Sequence, residues 1–249
     1  ATAPRYGDEL ANVLTYYSSE FGALASPNIT LAQLPDGTVD SFSAPGLLLL
    51  SARDWGTTVN RNELAHLSAQ QWWGNQVLPA SSGDAWVTDG LAQYVTAMYI
   101  EHSQGEQGFR RELTNYAIGS VMFEGATPIA QAQDLQPYSQ QYQSIVVDKG
   151  AMVFHMLRAS MGDAAFNSLL HDFYTAHAGK TASIDDFEKI AEAHMPPLKT
   201  GQPHLNLIAF FSQWLNSTGI PEFKLDYIVY RTPKGFKIVG KVKIGRAHV

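Results

Sequence analysis

Between Leu64 and Val95 the chain reads LAHLSAQQWWGNQVLPASSGDAWVTDGLAQYV, and no other stretch restricts the fold as much. Its first half reads as a helix that carries His66 and Gln70 four residues apart, so both side chains leave one face, one turn over the other. Trp72 and Trp73 follow, and Pro79 with a small-residue turn closes the helix. Asp84 to His102 reads as a second helix, with Trp86, Asp89, Ala92 and Gln93 near its start. Two antiparallel helices joined in this way bring Asp89 back towards His66 and Gln70. Two imidazoles on one helix and a carboxylate on the next make a zinc site. Here the layout is present, but Gln70 stands where a second imidazole belongs.

The stretch resembles the core of the M1 family of zinc metallopeptidases, the gluzincin aminopeptidases, whose pattern is roughly L-A-H-E-I-A-H-Q-W-W-G-N followed by W-x-N-E-G-x-A-x-Y. Laid on without gaps, Leu64, Ala65, His66, Ala69, Gln71, Trp72, Trp73, Gly74 and Asn75 match the first part, and Trp86, Gly90, Ala92 and Tyr94 the second. The departures fall on the active positions. His66 keeps the first ligand, Leu67 stands for the general-base Glu, Gln70 for the second ligand His, and Asp89 for the third ligand Glu. The family's eighteen residues still separate Gln70 from Asp89. A rival register lays H-E-L-A-H on Asn62-Glu63-Leu64-Ala65-His66; it keeps a Glu and one His but needs a four-residue insertion before Gln71.

Composition sets outer bounds. With 249 residues, 45% of them hydrophobic, the chain is long enough for one large domain or two smaller ones with a real core. A net charge of -6 argues against nucleic acid or an anionic membrane surface as the main partner. The absence of cysteine removes disulfides and thiolate zinc sites and leaves the compartment open. No apolar run approaches the roughly eighteen residues of a membrane span.

Before the central pair, residues 8 to 22 place Leu10, Val13, Leu14, Tyr17 and Phe21 at helical spacing, with Gly22 as a cap. Ile29 to Leu34 and Leu47 to Ser51 read as strands around the turn Pro35-Asp36-Gly37, and the run Leu47 to Leu50 suggests a strand buried on both faces. In the family, this region carries a Gly-x-Met-Glu-Asn loop that grips the substrate's free amine. Ser41-Phe42-Ser43-Ala44-Pro45-Gly46 stands in its place and offers no carboxylate.

After the pair, Gln107 to Met122 reads as helix and Phe123 to Tyr138 as an irregular loop. The segment from Tyr142 to Arg158 resembles a second family signature, Y-x-K-G-A-x-V-L-x-M-L, whose Tyr helps to stabilise the oxyanion. Lys149, Gly150, Ala151, Val153, Met156 and Leu157 match, but the Tyr position is Val147, and Tyr142 lies five residues upstream, more than a helical turn away. Asp163 to Ala178 reads as helix, and Ser183-Ile-Asp-Asp resembles a capping box that opens a helix to His194. Leu207 to Leu215 resembles the family's F-F-x-Q-W motif. Phe223 to Tyr230 and Phe236 to Ile244 alternate as a hairpin around Thr232-Pro233-Lys234-Gly235.

Each sharp reading has a plainer one beside it. His66 can be an ordinary helix histidine, Gln70 a hydrogen-bond partner of His66 or Asp89, and Asp89 a carboxylate favoured in the first turn by the helix dipole. Trp72 and Trp73 read as core. His155 reads as structural, and the six-residue separation of His171 and His177 gives them no shared helix face.

The resemblance implies an α+β, zincin (thermolysin-like) catalytic domain: a small mixed sheet, then a mostly helical part, then a C-terminal β-hairpin. Residues 1–218 form the peptidase-like domain, divided into an α/β part, 1–55, and a helical part, 56–218. Residues 219–249 form the hairpin, the start of a following β-sandwich. His66, Gln70 and Asp89 are expected to be vestigial metal positions without metal, and Leu67 and Val147 degenerate catalytic positions. The expected function is that of a pseudopeptidase, a binding or structural module of a larger protein. It has no cofactor, and a peptide or protein ligand occupies the ancestral cleft. The alternatives are a working metal-dependent hydrolase using His66, Asp89 and Glu63 with zinc, and a spacer whose cleft is filled by its own side chains.

Overall fold

Helix formation starts where apolar residues first recur at three- and four-residue intervals. The computed structural model describes residues 2–24, 28–38, 40–197 and 206–246. Helix α1 spans Ala3–Phe21 and buries Tyr6, Leu10, Val13, Tyr17 and Phe21. It begins five residues before the periodic pattern does, because Pro4 suits a first helical turn. It ends at Gly22, whose φ of 106° only glycine adopts freely and whose N–H bonds back to Ser18 O at 3.1 Å.

Three short strands follow: β1 (Thr30–Gln33), β2 (Phe42–Ala44) and β3 (Leu47–Leu50). Their order is β1-β3-β2, with β3 parallel to β1 and antiparallel to β2. The sequence reading missed β2, a three-residue edge strand inside what looked like a loop. It also overestimated the burial of β3. Leu48 and Leu50 are buried against Tyr6, Leu10, Leu64 and Leu67, whereas Leu47 and Leu49 are only half-buried. One face of the small sheet therefore packs on the helices.

Helix α2 spans Arg61–Ala69 and is capped by Asn60, whose side chain accepts from Glu63 N at 3.3 Å. It stops about ten residues before Pro79, the expected end. The N–H groups of Trp72 and Trp73 both bond to Ala69 O at 3.0 Å, and Gly74 turns the chain with a φ of 124°. Pro79 instead ends a short strand, β4 (Val77–Pro79), which pairs in parallel with β5 (Lys180–Ala182). A 3₁₀ stretch, Ser82–Val87, leads into α3 (Asp89–Ser120), which kinks at Gly105. A second 3₁₀ stretch, Ile129–Asp134, lies within the segment read as irregular.

The second motif begins with one helical turn, α4 (Gln140–Tyr142), passes through a π-helical stretch, Gln143–Asp148, and becomes α5 (Lys149–Met161). Helices α6 (Asp163–His177), α7 (Ile184–His194) and α8 (Ile208–Trp214) complete the body. Ser183 and Asp186 close a reciprocal capping box at the start of α7. Strands β6 (Pro221–Thr232) and β7 (Gly235–Arg246) pair antiparallel.

The core runs through the motif residues. Trp72, Trp73 and Trp86 are fully buried, and Trp86 stacks on Phe154 with ring centroids 4.4 Å apart. Glu9 on α1 accepts from Tyr99 on α3 at 2.7 Å and from Arg61 on α2 at 2.9 Å, so one buried carboxylate joins three helices. The Tyr17 hydroxyl lies 3.2 Å from both Ala65 O and Val95 O, between α2 and α3.

Candidate functional site

Helix α2 presents His66 and Gln70 as neighbours, with His66 Nε2 3.4 Å from Gln70 Nε2. The other ring nitrogen, Nδ1, is buried and has no hydrogen-bond partner among the described residues. Burial pushes the imidazole down to about 4, so the ring is neutral at physiological pH. Leu67 is 2% exposed and belongs to the cluster between α2 and the sheet. An apolar core side chain thus fills the place at which the resemblance expects a base.

The loop that offers no carboxylate is held by amides instead. Gln71 donates to Ser43 Oγ at 2.7 Å and Ala44 O at 2.8 Å, and its Oε1 accepts from Gly46 N at 2.9 Å. Ser43 Oγ donates in turn to Leu67 O at 2.9 Å. Strand β2 is therefore stitched to the end of α2 by a buried side chain.

Glu63, the base of the rival register, sits one turn before His66 on α2. Its carboxyl is pushed up by burial first and by Asp54 second, against a hydrogen bond from Ser41. Asp54 itself is held below the usual range. Burial opposes this, but hydrogen bonds from Ser51 and Ser41, the Arg53 charge and a bond from Asn60 outweigh it.

Asp89 opens α3. Its Oδ2 accepts from the Tyr142 hydroxyl, and Thr88 Oγ1 lies 3.4 Å from its Oδ1. Burial pushes the carboxyl up, and these two bonds pull the other way. Tyr142 is the residue that sequence reading set aside. It is buried beside Val146 and Val147, so the position expected to supply an oxyanion donor is apolar. No periodicity marks the pairing of two residues 53 apart. The only hint in the sequence is a tyrosine just ahead of a motif that lacks its own.

The structure thus joins His66 to Gln70, and Asp89 to Tyr142. His155 accepts or donates at 3.2 Å with the Tyr94 hydroxyl and sits in the packing of α5 on α3. His171 lies 3.3 Å from Asp172, and His177 Nδ1 lies 3.1 Å from Thr181 O. Among the described residues, no group of three or more His, Asp or Glu side chains is gathered closely enough to hold a metal ion, and no helix is long and apolar enough to cross a membrane.

A small mixed sheet lies beside a helical body whose core contains both motif segments. The chain belongs to peptidase family M1: the family's domain model matches residues 45–214. The chain is similar to tricorn protease-interacting factor F2 of Thermoplasma volcanium, at 23% identity over 228 residues, which is 86% of this chain and 28% of that protein. It is similar to aminopeptidase N of Bos taurus, at 24% identity over 250 residues, 91% of this chain and 26% of that one. Its fold resembles that of an M1 zinc metallopeptidase mutant from Deinococcus radiodurans bound to a Tyr-Ser-Ala substrate. That likeness has a TM-score of 0.68 at 24% identity and covers 85% of this chain and 44% of the other. The chain spans little more than a quarter of the two curated relatives it matches.

Proposed function

We propose that this M1 domain has lost zinc binding and peptidase activity and serves a longer chain as a binding or structural module. The observation that carries the reading is the state of the ligand positions: Asp89 is taken up by a phenol, and His66 faces an amide. Catalytic zinc in a gluzincin takes two imidazoles and a carboxylate. One imidazole, one amide and one carboxylate already in a hydrogen bond do not fit it, because an amide is a poor first-row ligand beside imidazole. We take His66, Gln70 and Asp89 to face one cleft still. In support, Tyr17 fastens Ala65, next to His66, to Val95, six residues after Asp89.

Catalysis has further gaps. The loss of a general acid/base typically removes a factor of about 10² to 10⁴, and Leu67 cannot move a proton. Loss of an oxyanion donor costs about 10² to 10³, and Val147 has none to give. We take the ancestral cleft to persist, with a peptide or protein segment as its ligand class. The bound Tyr-Ser-Ala of the structural neighbour supports that class. Strands β6 and β7 are read as the start of a further β-domain.

The test is elemental analysis of the purified protein beside turnover of aminoacyl substrates. The expected zinc content is below about one-tenth equivalent, since affinity falls steeply as good ligands are lost, with no turnover. Stoichiometric zinc that disappears in His66→Ala would overturn the reading and favour a hydrolase built on His66, Asp89 and Glu63.

A further inference from the structure

Asp89 needs a donor. Its carboxyl is largely withdrawn from water at the start of α3, and a buried carboxylate without a partner is costly. Thr88 is a weak candidate: its single hydroxyl proton is better placed towards Ala85 O at 3.0 Å than towards Asp89 at 3.4 Å. The phenol of Tyr142 is therefore the principal donor, and it comes from a different element. Tyr142 closes α4 just before the π-helical stretch, and its ring is buried with Ala85, Ala132, Val146 and Val147. Its hydroxyl has one proton, which goes to Asp89 Oδ2. Two motif segments are thereby joined at the carboxylate that a metal would otherwise claim.

We propose that Tyr142 stands in for the lost cation as the internal partner of Asp89, so that the site is closed to metal by an occupied carboxylate as well as by a depleted ligand set. This rests on the loss of zinc argued above, but it assigns a role to a residue that loss alone does not explain. A cation that approaches Oδ2 must first displace a charge-assisted hydrogen bond. The same bond holds the first turn of α3 to the segment that leads into α5, a positioning role that a metal has when it bridges two elements. Restoring the missing imidazole and base would then not suffice to recruit zinc at full strength, because Tyr142 would still compete for the third ligand.

The test has two arms. In metal-free protein at pH 7, urea unfolding is measured for Tyr142→Phe, Asp89→Ala and the double variant. Tyr142→Phe is expected to lower the folding equilibrium constant by a factor of about 10 to 100 in the Asp89 background, and by less than about threefold once Asp89 is gone. Equal losses in the two backgrounds would overturn the pairing. In the second arm, the variant Leu67→Glu, Gln70→His, Val147→Tyr is titrated with zinc against a competing chelator, with and without Tyr142→Phe. Removal of the hydroxyl is expected to tighten zinc binding by about tenfold or more. Equal affinities would overturn the competition, and so would a failure of both variants to bind zinc, because Asp89 would then not be poised as a ligand. Neither arm depends on the zinc content of the unmodified protein, which tests the function itself.

Discussion

The Asp148 carboxyl lies against Gly119, where a Cβ would collide with it, and it accepts from Gln93 at 3.4 Å and Gln143 at 3.1 Å. Burial pushes it up to about 6, and the two amide bonds pull against that shift without cancelling it. A carboxyl raised in the folded state is stabilising while protonated. Its contribution is full below the unfolded value near 3.8 and is lost as pH rises through about 6. At neutral pH the fold therefore holds a partly buried charge that helps neither motif. Asp148→Asn keeps an acceptor for Gln93 and Gln143 and removes the charge. It is expected to gain about 1–2 kcal/mol at pH 7 and nothing near pH 4. Urea titrations of both proteins at the two pH values check this. A gain that is the same at pH 4 and pH 7 would assign the effect to packing, not to ionisation. Asp148 and Asp89 are both pushed up by burial, but they differ in partner: Asp148 has two neutral amides, and Asp89 has a phenol from the neighbouring element.

Helices α3 and α5 cross at Gly90 and Gly150, and the indole of Trp86 closes over the crossing. A Cβ on Gly150 would stand 2.6 Å from Trp86 Cδ1 and 3.2 Å from Gly90 Cα. Neither neighbour can give way, since Trp86 is fully buried, stacked on Phe154 and bonded through Nε1 to Gly150 O at 3.2 Å. Gly150→Ala should cost about 2–3 kcal/mol as overpacking. Gly7→Ala should do the opposite and add about 0.5–1 kcal/mol, because Gly7 lies within α1 with nothing near its missing Cβ. Equilibrium unfolding of the two variants decides the matter, and equal signs would show that the crossing is looser than these distances require. The glycines also explain what the sequence could disclose. The helices with repeated apolar residues were legible, and so was the capping box before α7, because local spacing encodes them. The edge strand β2 was not, since three residues carry too little alternation to register and its hold comes from Gln71, in the turn after α2. The turn that ends α2 at Ala69 depends on Gly74 and on a parallel partner more than a hundred residues later. The Tyr142–Asp89 contact was illegible for the same reason: it forms only when two distant segments have already packed.

The body of the molecule and the hairpin obey different rules. From α1 to α8 one apolar core runs through the helices, with Trp73, Trp86, Phe154 and Phe173 fully buried. Among the described residues, strands β6 and β7 pair only with each other, and Phe223, Leu225, Tyr227, Phe236 and Ile238 are all more than half exposed. An isolated two-stranded hairpin is marginal in water, so it draws little stability from the body and returns little to it. The junction is different. Lys149 pairs with Glu124 at 3.8 Å and donates to Ser217 O at 3.4 Å, and Glu124 also accepts from Gly219 N. This buried ion pair ties the chain after α8 to the second motif, and it ends just before β6 begins. Removal of residues 221–249 should therefore leave the body intact, with a change in Tm below about 3 °C, which for a domain of this size is about 1 kcal/mol. Glu124→Gln should lower Tm by more than the truncation does, because it leaves the Lys149 ammonium buried without its counter-charge. Thermal unfolding of the two variants beside the unmodified protein is the measurement. If the truncation proves the more damaging, the hairpin is packed onto the body in solution, and the boundary of the folding unit lies beyond Pro221.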